Sequence, residues 1–207
     1  MGITVGFDLD MTLIDPRPGM VAVMNALGDE AGLPLDGEHF ASHLGPPLDQ
    51  VLRDFGAPEE RVPALVARFR ELYPEIVVAG TIALPGAHEA LAAVRRAGGK
   101  TVVVTGKYGP NAELHVKALG FEVDVLVGEL WADGKAAALR EHGASAYAGD
   151  HLGDIRGALV AGVTPIGVAT GPCTRAELAA AGAEVVFDSL EEFPGWLSSS
   201  GARAPMR

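Results

Sequence analysis

Ile3-Thr4-Val5-Gly6-Phe7-Asp8-Leu9-Asp10-Met11-Thr12-Leu13 sets a short apolar run against two acids two residues apart. A run of this kind suits a strand buried on both faces of a parallel sheet. Ligands bind at the C-terminal ends of such strands, and Asp8 and Asp10 fall there. Carboxylates so close resist joint ionisation unless a cation lies near them. Mg2+ meets that need, because it takes oxygen ligands through one or two carboxylates plus substrate phosphates. The stretch 7–13 therefore points to metal-assisted phosphoryl chemistry.

Further apolar runs at 101–105, 123–127, 144–148 and 163–169 read as additional buried strands. Helical spacing fills the gaps at 87–97, 110–119, 135–141, 154–161 and 174–181, each followed closely by a glycine stop. Thr174 with Glu177 three residues on is a capping-box pattern. Strands alternating with helices predict an α/β fold, a doubly wound parallel sheet with a Rossmann-like core.

Residues 15–80 break that alternation. Stripes Met20/Val21/Met24/Leu27, Leu48/Val51/Leu52/Phe55 and Leu65/Val66/Phe69/Leu72 each mark a helix. The expected organisation is a catalytic core of 1–14 with 81–197, an inserted all-helical domain at 15–80, and a disordered tail at 198–207. Prolines in both connections, near 15–18 and 79–85, suit stiff hinges.

The 207 residues are 48% hydrophobic, with a net charge of −11. That balance argues against nucleic acid and against an anionic membrane surface as partners. An anionic substrate has to be drawn by local cations rather than by the overall field. The single cysteine, Cys173, excludes an internal disulfide and points to a reducing, cytoplasmic setting. No leader pattern and no apolar run of membrane-spanning length is read in the chain. His43, His115, His142 and His151 are assigned no ligand spacing such as HxxxH, and Cys173 is read as structural.

Three further groups close later strands. Thr105-Gly106-Lys107 offers a hydroxyl and free N–H groups for phosphate oxygens. Lys135 opens a helix, where an ammonium can neutralise phosphate and acids. Gly149-Asp150-His151-Leu152-Gly153-Asp154 brings one carboxylate for a metal and a second to orient it or Lys135.

The order DxDxT, strand-terminal Thr, Lys, then GDxxxD resembles the four motifs of the haloacid dehalogenase superfamily, and the insertion resembles its helical C1 cap. The stretches Phe7 to Asp15, Gly45-Pro46-Pro47-Leu48, Pro85-Gly86 and Thr105-Gly106-Lys107 resemble the phosphoglycolate phosphatase group. The resemblance implies a phosphoric monoester hydrolase acting on a small phosphorylated metabolite through an aspartyl-phosphate. It makes Asp8 the nucleophile and Asp10 the general acid and base. Mg2+ is held by Asp8, the Asp10 carbonyl and Asp150. Thr105, Gly106 and Lys135 bind the phosphoryl group, and Thr12 and Asp154 support. Arg17, Gly45, Pro46 and Lys107 are candidates for contacts to the rest of the substrate. Asp10 also argues against dehalogenation, a branch that needs no acid there. Two positions depart from the pattern: Met11 stands where Gly is usual, and Ala136 where Pro is usual. A sugar-phosphate mutase of the same superfamily, or a non-catalytic phosphate-binding or regulatory domain, remains an alternative.

Overall fold

The computed structural model describes residues 2–44 and 46–199. In chain order the elements are β1 (Thr4–Phe7), β2 (Ile14–Asp15), α1 (Arg17–Ala31), α2 (Gly37–Ser42), α3 (Leu48–Asp54), α4 (Val62–Tyr73) and β3 (Ile82–Ala83). Then follow α5 (Ala87–Arg96), β4 (Lys100–Val104), α6 (Gly109–Ala118), β5 (Val125–Val127), α7 (Gly134–Glu141) and β6 (Ala146–Gly149). The chain closes with α8 (Leu152–Ala161), β7 (Thr164–Val168), α9 (Arg175–Ala180), β8 (Val185–Phe187) and α10 (Phe193–Ser199).

Six strands form one sheet in the order β5-β4-β1-β6-β7-β8, every neighbouring pair parallel. Alternate side chains pack on opposite faces. Val5, Phe7, Val103, Ala148 and Ile166 share one buried cluster with Leu91 of α5 and Phe193 of α10. Val102, Val104 and Tyr147 share another with Leu139 of α7 and Ala158 of α8. Helices on both faces are what a parallel sheet needs, and the chain has the Rossmann-like architecture that its strand–helix alternation predicts. The glycines at 98, 120, 143 and 162 all take positive φ just past their helices. Thr174 and Glu177 form the reciprocal capping box.

Five elements lie outside the sequence expectation: the short strands β2 and β3, the strand β8 and the helices α2 and α10. β8 adds a strand at the sheet edge; its apolar run is only three residues, between Glu184 and Asp188. α2 adds a short helix, capped by Asp36, whose side chain accepts from the His39 amide. The helix α10 also runs to Ser199, so Ser198 and Ser199 are not part of a structureless tail. The remainder of the expected tail, 200–207, lies outside the described residues.

The chain divides into two compact units, Met1–Ile14 with Ala83–Arg207, and Asp15–Ile82. The second is helical and has a core of its own. Met20, Met24 and Leu27 of α1 pack with Leu52 of α3 and with Leu65, Phe69 and Tyr73 of α4. Within it His39 and His43 do stand at HxxxH spacing, contrary to expectation. Their rings stack at 4.4 Å, and His43 Nδ1 lies 2.9 Å from the His39 carbonyl. The pair thereby satisfies a carbonyl at the end of α2.

Candidate active site

β1 lies at the centre of the sheet, with β4 on one side and β6 on the other. From β1 the chain builds outward to β4 and β5, then returns to build β6, β7 and β8 on the opposite flank. Their carboxyl ends therefore meet at a topological switch point, where open α/β sheets bind ligands. Asp8 follows β1, Thr105 follows β4, and Asp150 follows β6.

Asp8 extends the ladder by one step, its amide donating to the Ala148 carbonyl at 2.8 Å. The next residues fold back at once, with Leu13 and Ile14 amides donating to the Leu9 carbonyl. This turn brings Thr12 inward, and its hydroxyl donates to Asp150 Oδ1 at 3.0 Å. Met11 sits in the turn with φ of +59°, the left-handed region, and its carbonyl accepts from the Thr170 hydroxyl.

Carboxylate oxygens of Asp8, Asp150 and Asp154 lie within 4.8 Å of one another, all three residues buried. Lys135, at 0% exposure, is the cation among them. Its Nζ donates to Asp154 Oδ1 at 2.6 Å and to Tyr147 Oη at 2.9 Å, and stands 3.0 Å from Asp8 Oδ1. Asp154 Oδ2 accepts from the His151 amide at 3.1 Å, so both of its oxygens are engaged. One ammonium against three carboxylates leaves two negative charges unbalanced if all ionise. Burial raises the Asp8 carboxyl to about 7 despite Lys135, helped by Asp154 and Asp10. Burial, then Asp154 and Asp8, also push Asp150 well above the usual carboxylate range. Burial drives Lys135 down, but Asp154 and Asp8 more than offset it and leave its pKa raised. Tyr147 is held protonated by burial and by the same acids.

The unbalanced charge, the buried oxygen donors and the clustering fit a hard divalent cation. Asp10 is not in the carboxylate cluster. Its Oδ2 pairs with Lys107 Nζ at 3.0 Å, while its Oδ1 is buried with no hydrogen-bond partner. Lys107 is buried, its side chain 4% exposed, rather than solvated. Thr105 is also buried; its hydroxyl accepts from the Lys107 amide at 3.2 Å, and Gly106 between them is exposed. Arg17 and Pro46 belong to the helical unit, where Arg17 pairs with Asp15 at 2.6 Å. Gly45 lies outside the described residues.

Two participants carried no signal in the sequence. Tyr147 reads as one more apolar residue of β6, yet its hydroxyl joins Lys135. Gly171 follows β7 in a loop, yet a Cβ built there would lie 1.8 Å from Asp150 Oδ2. Only glycine lets this backbone back the acid so closely.

The family model for haloacid dehalogenase-like hydrolases matches residues 5–158. The chain belongs to that family. It is 33% identical to a phosphoglycolate phosphatase of Caulobacter vibrioides, over 93% of this chain and 90% of that one. A phosphoglycolate phosphatase of Chromobacterium violaceum is 27% identical, covering 91% of this chain and 93% of its own length. The crystal structure of a predicted phosphatase from Clostridium acetobutylicum shares the fold, with a TM-score of 0.80 at 23% identity, over 96% of this chain and 99% of that one. With such relatives across its length, this family member is a phosphoric monoester hydrolase.

Proposed function

We propose that this phosphatase hydrolyses a small organic phosphate monoester of the phosphoglycolate kind, with Mg2+, through an aspartyl-phosphate on Asp8. One observation carries the reading: an acid at the end of β1 faces a buried lysine inside a cluster that lacks two positive charges. Asp8 and Asp150 are the side chains left that would hold the ion, because both Asp154 oxygens are already engaged, and the Asp10 carbonyl would be a third ligand. When bound, the ion neutralises the acids and shields the nucleophile from the charge of the phosphate.

Asp8 attacks phosphorus, forming an Asp8–phosphorus bond as the bond to the leaving oxygen breaks. Asp10 gives that oxygen a proton, and then takes one from the water that releases phosphate and restores Asp8. Asp10 Oδ1, buried and uncommitted, suits the transfer, while Lys107 fixes the other oxygen. The Thr105 hydroxyl, the exposed Gly106 backbone and Lys135 orient the phosphoryl group and its charge. The inserted helical unit serves as the cap in this reading, with Arg17, Gly45 and Pro46 as its candidate contacts to the substrate, alongside Lys107.

The test is a panel of phosphorylated metabolites, with Mg2+ and with chelator, scored for free phosphate. Metal-dependent release, fastest from small phosphate esters such as phosphoglycolate, is expected. Conversion of a sugar phosphate to its isomer without net phosphate would instead identify a mutase. Inertness toward the whole panel would leave a binding or regulatory domain.

A further inference from the structure

Tyr147 belongs to β6, which neighbours β1, yet its hydroxyl donates to the carbonyl of Val104 on β4 at 2.6 Å. The ring therefore crosses the whole width of β1. It can do so because the β1 residue in register with it is Gly6. A Cβ at Gly6 would lie 2.7 Å from Tyr147 Cδ2 and 2.8 Å from Leu139 Cδ2, closer than real side chains approach. The phenol proton is spent on Val104, so the oxygen lone pairs face Lys135, whose Nζ donates to them at 2.9 Å. Lys135 has three protons. Tyr147 and Asp154 take two, and the ammonium faces Asp8 as an ion pair at 3.0 Å. Val104 is the residue before Thr105.

We propose that Tyr147 is a positioning residue: laid across Gly6, it ties Lys135 to the end of β4 and so fixes the nucleophile Asp8 and the Thr105 hydroxyl relative to one another. This rests on the phosphatase reading above. Phosphoryl transfer depends chiefly on positioning and charge. A lysine freed from its third partner can still offset charge, but it no longer aims Asp8. Ground-state binding of the substrate is expected to suffer little, and the chemical step to suffer most.

Tyr147→Phe keeps the ring and removes the hydroxyl. Its kcat should fall about tenfold, the worth of one hydrogen bond from a charged donor, with KM changed less than about twofold. Gly6→Ala should displace the ring and lower kcat as well. The double variant should be no slower than the worse single, since a displaced ring that already lacks its hydroxyl has no further bond to lose. Independent packing defects would instead multiply, to about a hundredfold if each costs tenfold. An unchanged kcat in Tyr147→Phe, a loss confined to KM, or multiplicative kcat losses would overturn the proposal. Should Gly6→Ala not fold, a second measurement stands beside the kcat and KM of Tyr147→Phe. The 15N resonance of the Lys135 ammonium in metal-free protein should be sheltered from exchange with water in wild type and exposed in Tyr147→Phe; equal exchange in both would overturn it. If the wild type releases phosphate from no ester, the phosphatase reading fails, whereas the ammonium signal still reports whether Tyr147 holds Lys135.

Discussion

Met11 holds the turn between the two acids and Thr12 in a left-handed conformation that costs a non-glycine residue about 1–2 kcal/mol. Its side chain is only 4% exposed, and burying a methionine contributes about 1.5–3 kcal/mol. Packing outweighs strain, so Met11→Gly should lower stability by about 1 kcal/mol, measured by denaturant unfolding, while leaving the turn and its chemistry in place. A stabilised glycine variant would mean that the side chain contributes less than its burial suggests. Asp8 and Asp10 are separable in the same spirit. Asp8→Asn is nearly isosteric and should keep the fold yet abolish turnover; near-native hydrolysis would remove Asp8 as nucleophile. Asp10→Asn should retain metal binding if, as proposed, Asp10 offers the ion its carbonyl rather than its side chain, while kcat falls by about 10²–10⁴. An unchanged rate on a substrate with a poor leaving group would take the acid role from Asp10.

At the scale of elements, the site is a meeting of strand ends and the loops that follow them. Asp8, Thr105 and Asp150 were legible because each follows an apolar run, and a local pattern is enough to place a residue after a strand. Tyr147 and Gly171 were not, because their roles depend on which strands are neighbours. The reach of Tyr147 to β4 exists only because β1 lies between β6 and β4 with Gly6 in register. The closeness of Gly171 to Asp150 arises because β7 neighbours β6, which brings the loop after one strand beside the acid after the other. β8 is illegible for another reason: three apolar residues before an acid carry too little pattern to stand out. Gly171→Ala tests the loop contact. The added methyl must push the Asp150 carboxylate aside, so Mg2+ affinity by titration calorimetry should fall about 10–100-fold, as for other changes behind a ligand, with little change in thermal stability. Equal metal affinity would show that Asp150 is not a ligand or that the loop gives way freely.

Across the whole molecule, a net charge of −11 and a buried knot of acids make metal binding, protonation and stability one linked equilibrium. Burial, with Lys135 opposing it, raises Asp8 from 3.8 to about 7 in the folded chain. A carboxyl whose folded pKa is raised favours the fold while protonated. That contribution is full below about pH 4 and is lost as pH climbs to 7. Asp150 moves in the same direction. In the proposed site Mg2+ would take the place of those protons, so its affinity should rise with pH across this window, by up to about tenfold per unit for each proton displaced. At a hundredfold excess over Kd, a ligand that binds only the folded state adds about 2.7 kcal/mol. The rise in Tm on adding a fixed concentration of Mg2+ should therefore be larger at pH 8 than at pH 5. Calorimetry in buffers of different ionisation enthalpy should show protons released per ion bound at pH 6, and fewer as pH rises past 7. General repulsion among surface acids also weakens stability as pH rises, but salt screens it, and Asp8→Asn leaves it nearly intact. In that variant the pH dependence of the Mg2+ effect should flatten. A Tm shift that is independent of pH in the native chain would mean that the acids are already ionised without metal, and that the charge deficit around Lys135 is met by something other than a divalent cation.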